Sequence, residues 1–288
     1  MIEDMKPSHP FSFCLCADDF ALSPAVSQGI LMALEAGRLS ATSVMTTRPS
    51  WPQAAKTLRP YEGKADIGLH LNLTLGAPLT AMPRFAPDGA LPPIAKVISA
   101  ERRGVLPEAE IRAEITAQIN AFTEHFGRPP DFLDGHQHVH ILPAIRPWLF
   151  DSLESLGLQG RIWLRNSGDR LGALLRRRKE IKKALALAWL ARGFSEAALA
   201  RGFHTNQGFA GFSDFAAERS YAADFARYLV APGERHLIMC HPGHVDEELQ
   251  SLDPVTASRP KELAFLLSPA FEACLEKAQA KLIRFSVS

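Results

Sequence analysis

A disulfide framework, a membrane span and an excess charge of either sign are all missing from this sequence. Four cysteines in 288 residues are too few to staple the chain, whose length suffices for a substantial apolar core instead. Cys14 and Cys16 stand two apart in the run FSFCLCA, where strand neighbours share a face and rarely crosslink. Cys14, Cys16, Cys240 and Cys274 therefore read as reduced thiols of a cytoplasmic protein, and C-x-C fits no zinc ribbon. No apolar run reaches the length of a bilayer span. The opening MIEDMKPSHP is polar and proline-containing, unlike a signal or transit peptide. Lys plus Arg (32) nearly cancel Asp plus Glu (31), so no global field draws the chain to nucleic acid.

What is present is an alternation of strand-like and helix-like runs. FSFCLCA (11–17) reads as a strand covered on both faces. The helix after it is punctuated by Ser23 as N-cap, Pro24 at the first position and Gly37 at the end. ATSVMTT (41–47) and ADIGLHLNLT (65–74) are the next strands. LGAPLTAMPRFAPDGALPP is a loop long enough to be functional. Residues 107–127 have helical period and end at Gly127. PDFLDG is a short strand, and PAIRPWLFDSLESLG a helix broken or kinked near Pro147. RIWLRN (161–166) is a strand and 169–201 is helical in composition. ERHLIMC is a strand running into HPGH. RPKELAFLLSPAFEACLEKAQAK gives one helix, or two divided at Ser268-Pro269, before the β-like LIRFSV.

This order predicts an α/β fold with a parallel sheet. About seven or eight such units favour a single-domain, distorted (β/α) TIM-like barrel over an open sheet. Residues 1–10 are expected to be a flexible lead-in, and 166–215 a variable helical insertion within that one domain, 1–288.

Several chemistry-bearing residues fall at predicted strand ends: Asp18 and Asp19 after the first strand, His70 late in the third, His136 after PDFLD, and His241 after ERHLIMC. In a parallel barrel these ends share the rim where active sites are built. Adjacent carboxylates repel, and a nearby cation relieves them. His70 beside Asp19 and a second histidine would complete two imidazoles and one carboxylate, leaving open positions for water and substrate. DGHQHVH has two readings. On a strand, His136, His138 and His140 line one face; on a helix, only His136 and His140 do. Asp134 can orient a ligand histidine through its second ring nitrogen. His241, held by Pro242-Gly243, suits a general acid. His9, His125, His204 and His236 are read as surface or packing residues.

The segments ADDFALSPAVSQGI, LSATSVM, GLHLNLTLGAPLT, FGRPPDFLDGHQHVH and CHPGH, with ELAFLLSP…LIRF near the end, together resemble the YdjC-like carbohydrate deacetylases, which include chitooligosaccharide and hopanoid-associated deacetylases. The likeness covers nearly the whole chain. It implies a distorted (β/α) barrel and a hydrolase that removes the N-acetyl group from an amino sugar of an oligosaccharide or glycolipid. It also implies one divalent metal, zinc favoured over magnesium or another transition metal, on Asp19, His70 and His136. Asp18 would correspond to the base and His241 to the acid. Asp134, His140, Asn72 and Arg165 are supporting or substrate-lining candidates. One departure is Ala21, where the family usually has glycine; a positive φ there would strain alanine.

Two rival readings stand beside this one. An amidohydrolase- or phosphoesterase-type metal hydrolase would place a His-x-His pair after the first strand, where this chain has Asp-Asp. A non-catalytic sugar-binding relative would keep the cage without turnover. The basic run RRRKEIKK reads as a solvated helix face without the aromatic interleaving of a nucleic-acid site. With its leucines and Trp189, the segment 171–190 is a candidate for peripheral contact with an anionic membrane. A homodimer is an admissible assembly.

Overall fold

The first strand runs further than its apolar letters. In the computed structural model, which describes residues 9–213 and 220–286, β1 is Phe11–Phe20 and carries Asp18 and Asp19 within it. The strands that follow are β2 (Ala41–Val44), β3 (Asp66–Leu71), β4 (Phe132–Gly135), β5 (Trp163–Leu164), β6 (His204–Thr205), β7 (Phe209–Ala210), β8 (His236–Cys240) and β9 (Ala280–Leu282). Their order in one sheet is β6-β5-β4-β3-β2-β1-β8-β7, with β9 beside β1. Every named strand pairing is parallel.

Helices connect the strands. They are α1 (Pro24–Glu35), α2 (Trp51–Leu58), α3 (Ile94–Arg102), α4 (Glu108–Phe126), α5 (Ile145–Ser155), α6 (Leu171–Arg177), α7 (Ile181–Leu190), α8 (Phe194–Ala200), α9 (Tyr221–Tyr228), α10 (Glu247–Leu252), α11 (Arg259–Leu267) and α12 (Pro269–Ala278). The result is the expected distorted (β/α) barrel. No helix among the described residues is long and apolar enough to cross a membrane.

Alternation along β1 sorts the core into two layers. Phe13, Leu15 and Ala17 face the helices, in the larger apolar cluster. Cys14 and Cys16 face inward, in a second cluster with Phe132, Trp163, Phe209 and Leu237 from four other strands. Phe132 stacks on Trp163 at 4.2 Å between centroids. Gly68 on β3 makes room for this stack, since a Cβ there would lie 2.4 Å from the Phe132 ring.

β6 and β7 fall within one stretch, 204–210, whose first residues pair with β5 and whose last pair with β8. Between them the Asn206 side chain takes over from the ladder. Its Oδ1 accepts from Asn166 N at 2.7 Å, and its Nδ2 donates to the carbonyls of Asn166 (2.9 Å) and Gly208 (3.0 Å). The segment 166–215 thus holds three helices and both of these strands, as far as its described residues reach.

Other boundaries also move. Pro147 does not break α5: it is the third residue, where no N–H is needed. Ser268 divides α11 from α12. The closing strand lies two residues earlier than LIRFSV suggests, because 284–286 leave the sheet to satisfy the buried Asp66 carboxylate, through Arg284 Nε at 3.0 Å and Phe285 N at 2.9 Å. Of the expected N-terminal lead-in, residues 1–8 lie outside the described residues.

Candidate metal centre

A bulge brings the two adjacent aspartates together. The β1–β2 register shifts between Ala17 and Phe20, and Asp19 adopts φ 71°. Regular alternation would send Asp18 and Asp19 to opposite faces; the extra residue lets both carboxylates enter the barrel mouth. Ala21 also sits at φ 71°, so the expected strain is present and costs about 1–2 kcal/mol. Its N–H donates to Ser27 Oγ at 3.0 Å, which holds the turn.

Asp19 is the hub. Its Oδ1 lies 3.3 Å from His70 Nε2 and 3.2 Å from His136 Nδ1, and its Oδ2 accepts from Arg259 Nη2 at 2.7 Å. His70 Nδ1 donates to Asp134 Oδ1 at 2.7 Å, with Ser43 Oγ at 3.1 Å. Donor atoms of Asp19, His70 and His136 all lie within 4.8 Å of one another. Two imidazoles and one carboxylate suit a transition metal such as zinc, and Asp134 on the far nitrogen of His70 is the usual outer support for such a ligand. The residues present therefore fit a divalent metal.

Asp18 is held differently. Arg165 grips it with both guanidinium arms, Nη1 to Oδ2 and Nη2 to Oδ1, each at 2.6 Å, and reaches Asp134 Oδ2 at 2.5 Å. His241 Nε2 lies 4.0 Å from Asp18 Oδ2. Side chains of His136 and His241 keep 10% and 15% exposure, against 3% for Asp18 and Asp19, so the cluster opens to solvent on the histidine side. A second group, Cys16, Asp18 and Asp134, also clusters. Arg165 already occupies both of its carboxylates, and burial pushes the Cys16 thiol well up; neither condition suits a metal.

The electrostatics follow from these contacts. Burial pushes the Asp18 and Asp19 carboxyls up, but Arg165 and Arg259 respectively hold them well below the usual range. Three carboxylates, Asp18, Asp19 and Asp134, face two guanidiniums, and Asp253 also draws on Arg259 at 2.8 Å. The cluster is short of positive charge. Burial pushes His70 down, yet Asp134, Asp19 and Asp18 push it up to about 10. A proton or a metal cation answers the same deficit. His241 is shifted downward by burial, against the pull of Asp19 and Asp18.

DGHQHVH is neither strand nor regular helix. Gln137 and His138 take φ 52° and 61° inside two tight turns, and the three rings diverge. His136 points to Asp19. His138 lies 3.0 Å from Ser167 Oγ, edge-on to Phe209 and Phe212. His140 turns behind the site, where its Nε2 donates to the Arg165 carbonyl at 2.8 Å; it steadies Arg165 rather than lining the pocket. Asn72 spends its side chain on Thr47 Oγ1, Leu75 O and the N–H groups of Thr74 and Leu75, which fixes the loop after β3. Of the remaining histidines, His236 is buried and donates to the Tyr228 carbonyl at 2.9 Å.

Two residues escape sequence reasoning. Arg259 is fully buried beside Asp19, and Glu262 accepts from the His241 N–H at 2.6 Å. The available signal was Pro260 just behind Arg259: it marks a helix start, and helices that follow barrel strands start at the active rim.

A parallel barrel with a cluster of polar side chains at the C-terminal rim defines the class of (β/α)-barrel proteins that carry their sites on that rim. The chain belongs to one family within it: the YdjC-like protein model matches residues 12–277. It is similar to a chitooligosaccharide deacetylase of Escherichia fergusonii, 32% identical over 238 residues, 81% of this chain and 82% of the relative. A chitooligosaccharide deacetylase of Enterobacter sp. is 37% identical over 147 residues, 51% of this chain and 57% of the relative. Among solved structures, a protein of Enterococcus faecalis assigned provisionally to cellobiose-phosphate cleavage superposes with a TM-score of 0.73 at 23% identity, covering 97% of this chain and 99% of that one. This last likeness concerns the fold alone.

Proposed function

We propose that the protein is a metal-dependent N-deacetylase that hydrolyses the acetamide of an N-acetylated amino sugar, in an oligosaccharide or a glycolipid, to acetate and a free amine. The observation that carries this reading is the gathering of Asp19, His70 and His136 with Asp18 and His241 on one rim, in a family whose curated relatives are named chitooligosaccharide deacetylases.

Asp19, His70 and His136 would hold the metal, zinc by donor type. When bound, it polarises the amide carbonyl and acidifies the attacking water. Asp18 is the base that receives the water's proton. Arg165 keeps that carboxylate ionised at neutral pH and fixes its plane by the two-armed contact. The hydroxyl adds to the carbonyl carbon, and the carbon–nitrogen bond breaks once the nitrogen is protonated. His241 Nε2 gives that proton. It rests neutral at pH 7, and at 4.0 Å from Asp18 it can be recharged from the proton Asp18 has collected, with one water or a small rotation between them. Glu262, on the His241 backbone N–H, holds the turn that aims the imidazole.

The test is acetate release from N,N′-diacetylchitobiose by the zinc-loaded full chain, with free amine counted in parallel. Equimolar acetate and amine are expected. A metal-loaded protein that releases neither from a panel of N-acetylated sugars overturns the reading.

A further inference from the structure

The helices α6 and α7 expose an apolar stripe. Leu171 and Leu175, one turn apart on α6, are 59% and 50% exposed, while Ala173 and Leu174 beside them are buried. On α7, Lys182, Leu185, Ala186 and Trp189 are exposed at i, i+3, i+4 and i+7, a single helical face. Trp189 is 63% exposed. The other face of α7 packs inward through Ala184 and Leu187. The stripe is therefore not a poorly buried core face but a second apolar surface on an already seated helix.

The charge along the two helices is predominantly positive. Arg176, Arg178 and Lys182 are exposed, and Glu180 is the one acid between Arg170 and Arg192. Leucines and a tryptophan bordered by Arg and Lys match the chemistry of a bilayer boundary with anionic headgroups, where indole and aliphatic groups enter the interface and cations meet phosphates. An acidic protein partner would use the cations but leave the solvent-facing leucines without a counterpart. The helix that carries the stripe packs, through its other side, beside the loop that follows Arg165. Gly168, three residues beyond Arg165, backs so closely onto α7 that a Cβ there would lie 2.9 Å from Ala191 Cβ. Asn166 Nδ2 donates to Ser195 Oγ at 2.7 Å at the start of α8.

We propose that the α6–α7 face is a docking surface for anionic lipid bilayers, holding the chain peripherally with the barrel rim close to the headgroups. Each basic residue near such a surface contributes about fivefold to partitioning.

Flotation of the full, metal-loaded chain with phosphatidylcholine vesicles, with and without a quarter of phosphatidylglycerol, tests this. Binding to the anionic vesicles alone is expected, weakening as salt rises. The pair Arg176→Glu and Lys182→Glu should lower partitioning more than tenfold, and Leu185→Ser with Trp189→Ser should abolish it. The emission difference between the parent chain and Trp189→Phe should shift to the blue on anionic vesicles, a readout that needs no destabilising change. Absence of flotation, equal binding to neutral vesicles, or binding unchanged in both variant pairs overturns the proposal. So does a vesicle-free dimer that the Leu185 and Trp189 changes dissolve, since a second copy would then cover the face.

Discussion

Asp134 Oδ1 takes the Nδ1 proton of His70 at 2.7 Å, which leaves Nε2 of the same ring facing Asp19 Oδ1 at 3.3 Å. One contact fixes both the tautomer and the direction of the ring. Asp134→Asn should therefore lower metal affinity 10- to 100-fold, the usual effect of losing such a support, while leaving the metal ligands in place. Competition titration with a chelating dye measures it. An unchanged affinity would mean that His70 is not a ligand.

Metal uptake should release a proton. Without metal, His70 is raised to about 10, so between pH 6 and 9 the imidazole carries the proton that a metal must displace. Affinity should rise about tenfold per pH unit over that window. Calorimetry in two buffers of different ionisation enthalpy counts the protons; a count near zero contradicts the assignment.

Arg165 stands between Asp18, which it grips with both arms, and Asp134, which it shares with His70. Arg165→Met leaves Asp18 buried without its guanidinium partner and Asp134 with His70 alone, and should destabilise the chain by about 3–5 kcal/mol. Arg165→Lys keeps the charge but not the two-armed grip on Asp18; it should recover much of the stability and little of the turnover. Urea unfolding and acetate release separate the two effects. Equal recovery of both would mean that the planar grip has no part in catalysis.

Asp18→Asn and His241→Gln should each lower kcat by about 10²- to 10⁴-fold, the range for a lost proton-transfer group, with metal content unchanged. Asp19→Asn and His136→Ala should instead lower metal content and activity together. Metal analysis beside the kinetics divides the residues into these two groups. A proton-transfer variant that arrives metal-free would move its residue into the ligand set.

The barrel was legible because its signals are local: the apolar strand FSFCLCA, the cap at Ser23 and the helical period of 107–127 need only neighbours in sequence. The convergence of Asp18, Asp19, His70, His136 and His241 was legible through topology, since a parallel barrel gathers strand ends. What sequence reasoning missed depends on distant partners. Arg259 at a helix start looks like a solvated cation until Asp19, 240 residues away, is placed beside it. β6 and β7 are two residues long each, too short for a period. The divergence of the three histidines rests on two left-handed residues, Gln137 and His138, neither of which is glycine to announce it.

Glu262 sets a pH dependence of stability that runs opposite to that of a paired carboxylate. Burial raises its carboxyl from 4.5 to about 7, so the folded chain holds a proton that the unfolded chain has lost through most of that interval. Stability therefore falls as pH rises from about 4.5 to about 7 and stays lower above, by roughly 3 kcal/mol for this group alone. Glu262→Gln cannot ionise, and its amide oxygen can still accept from the His241 N–H. The variant should unfold near the parent's urea midpoint at pH 5 but well above it at pH 8. A parent and variant that track each other across this range would show that Glu262 ionises in the folded state as readily as in the unfolded chain.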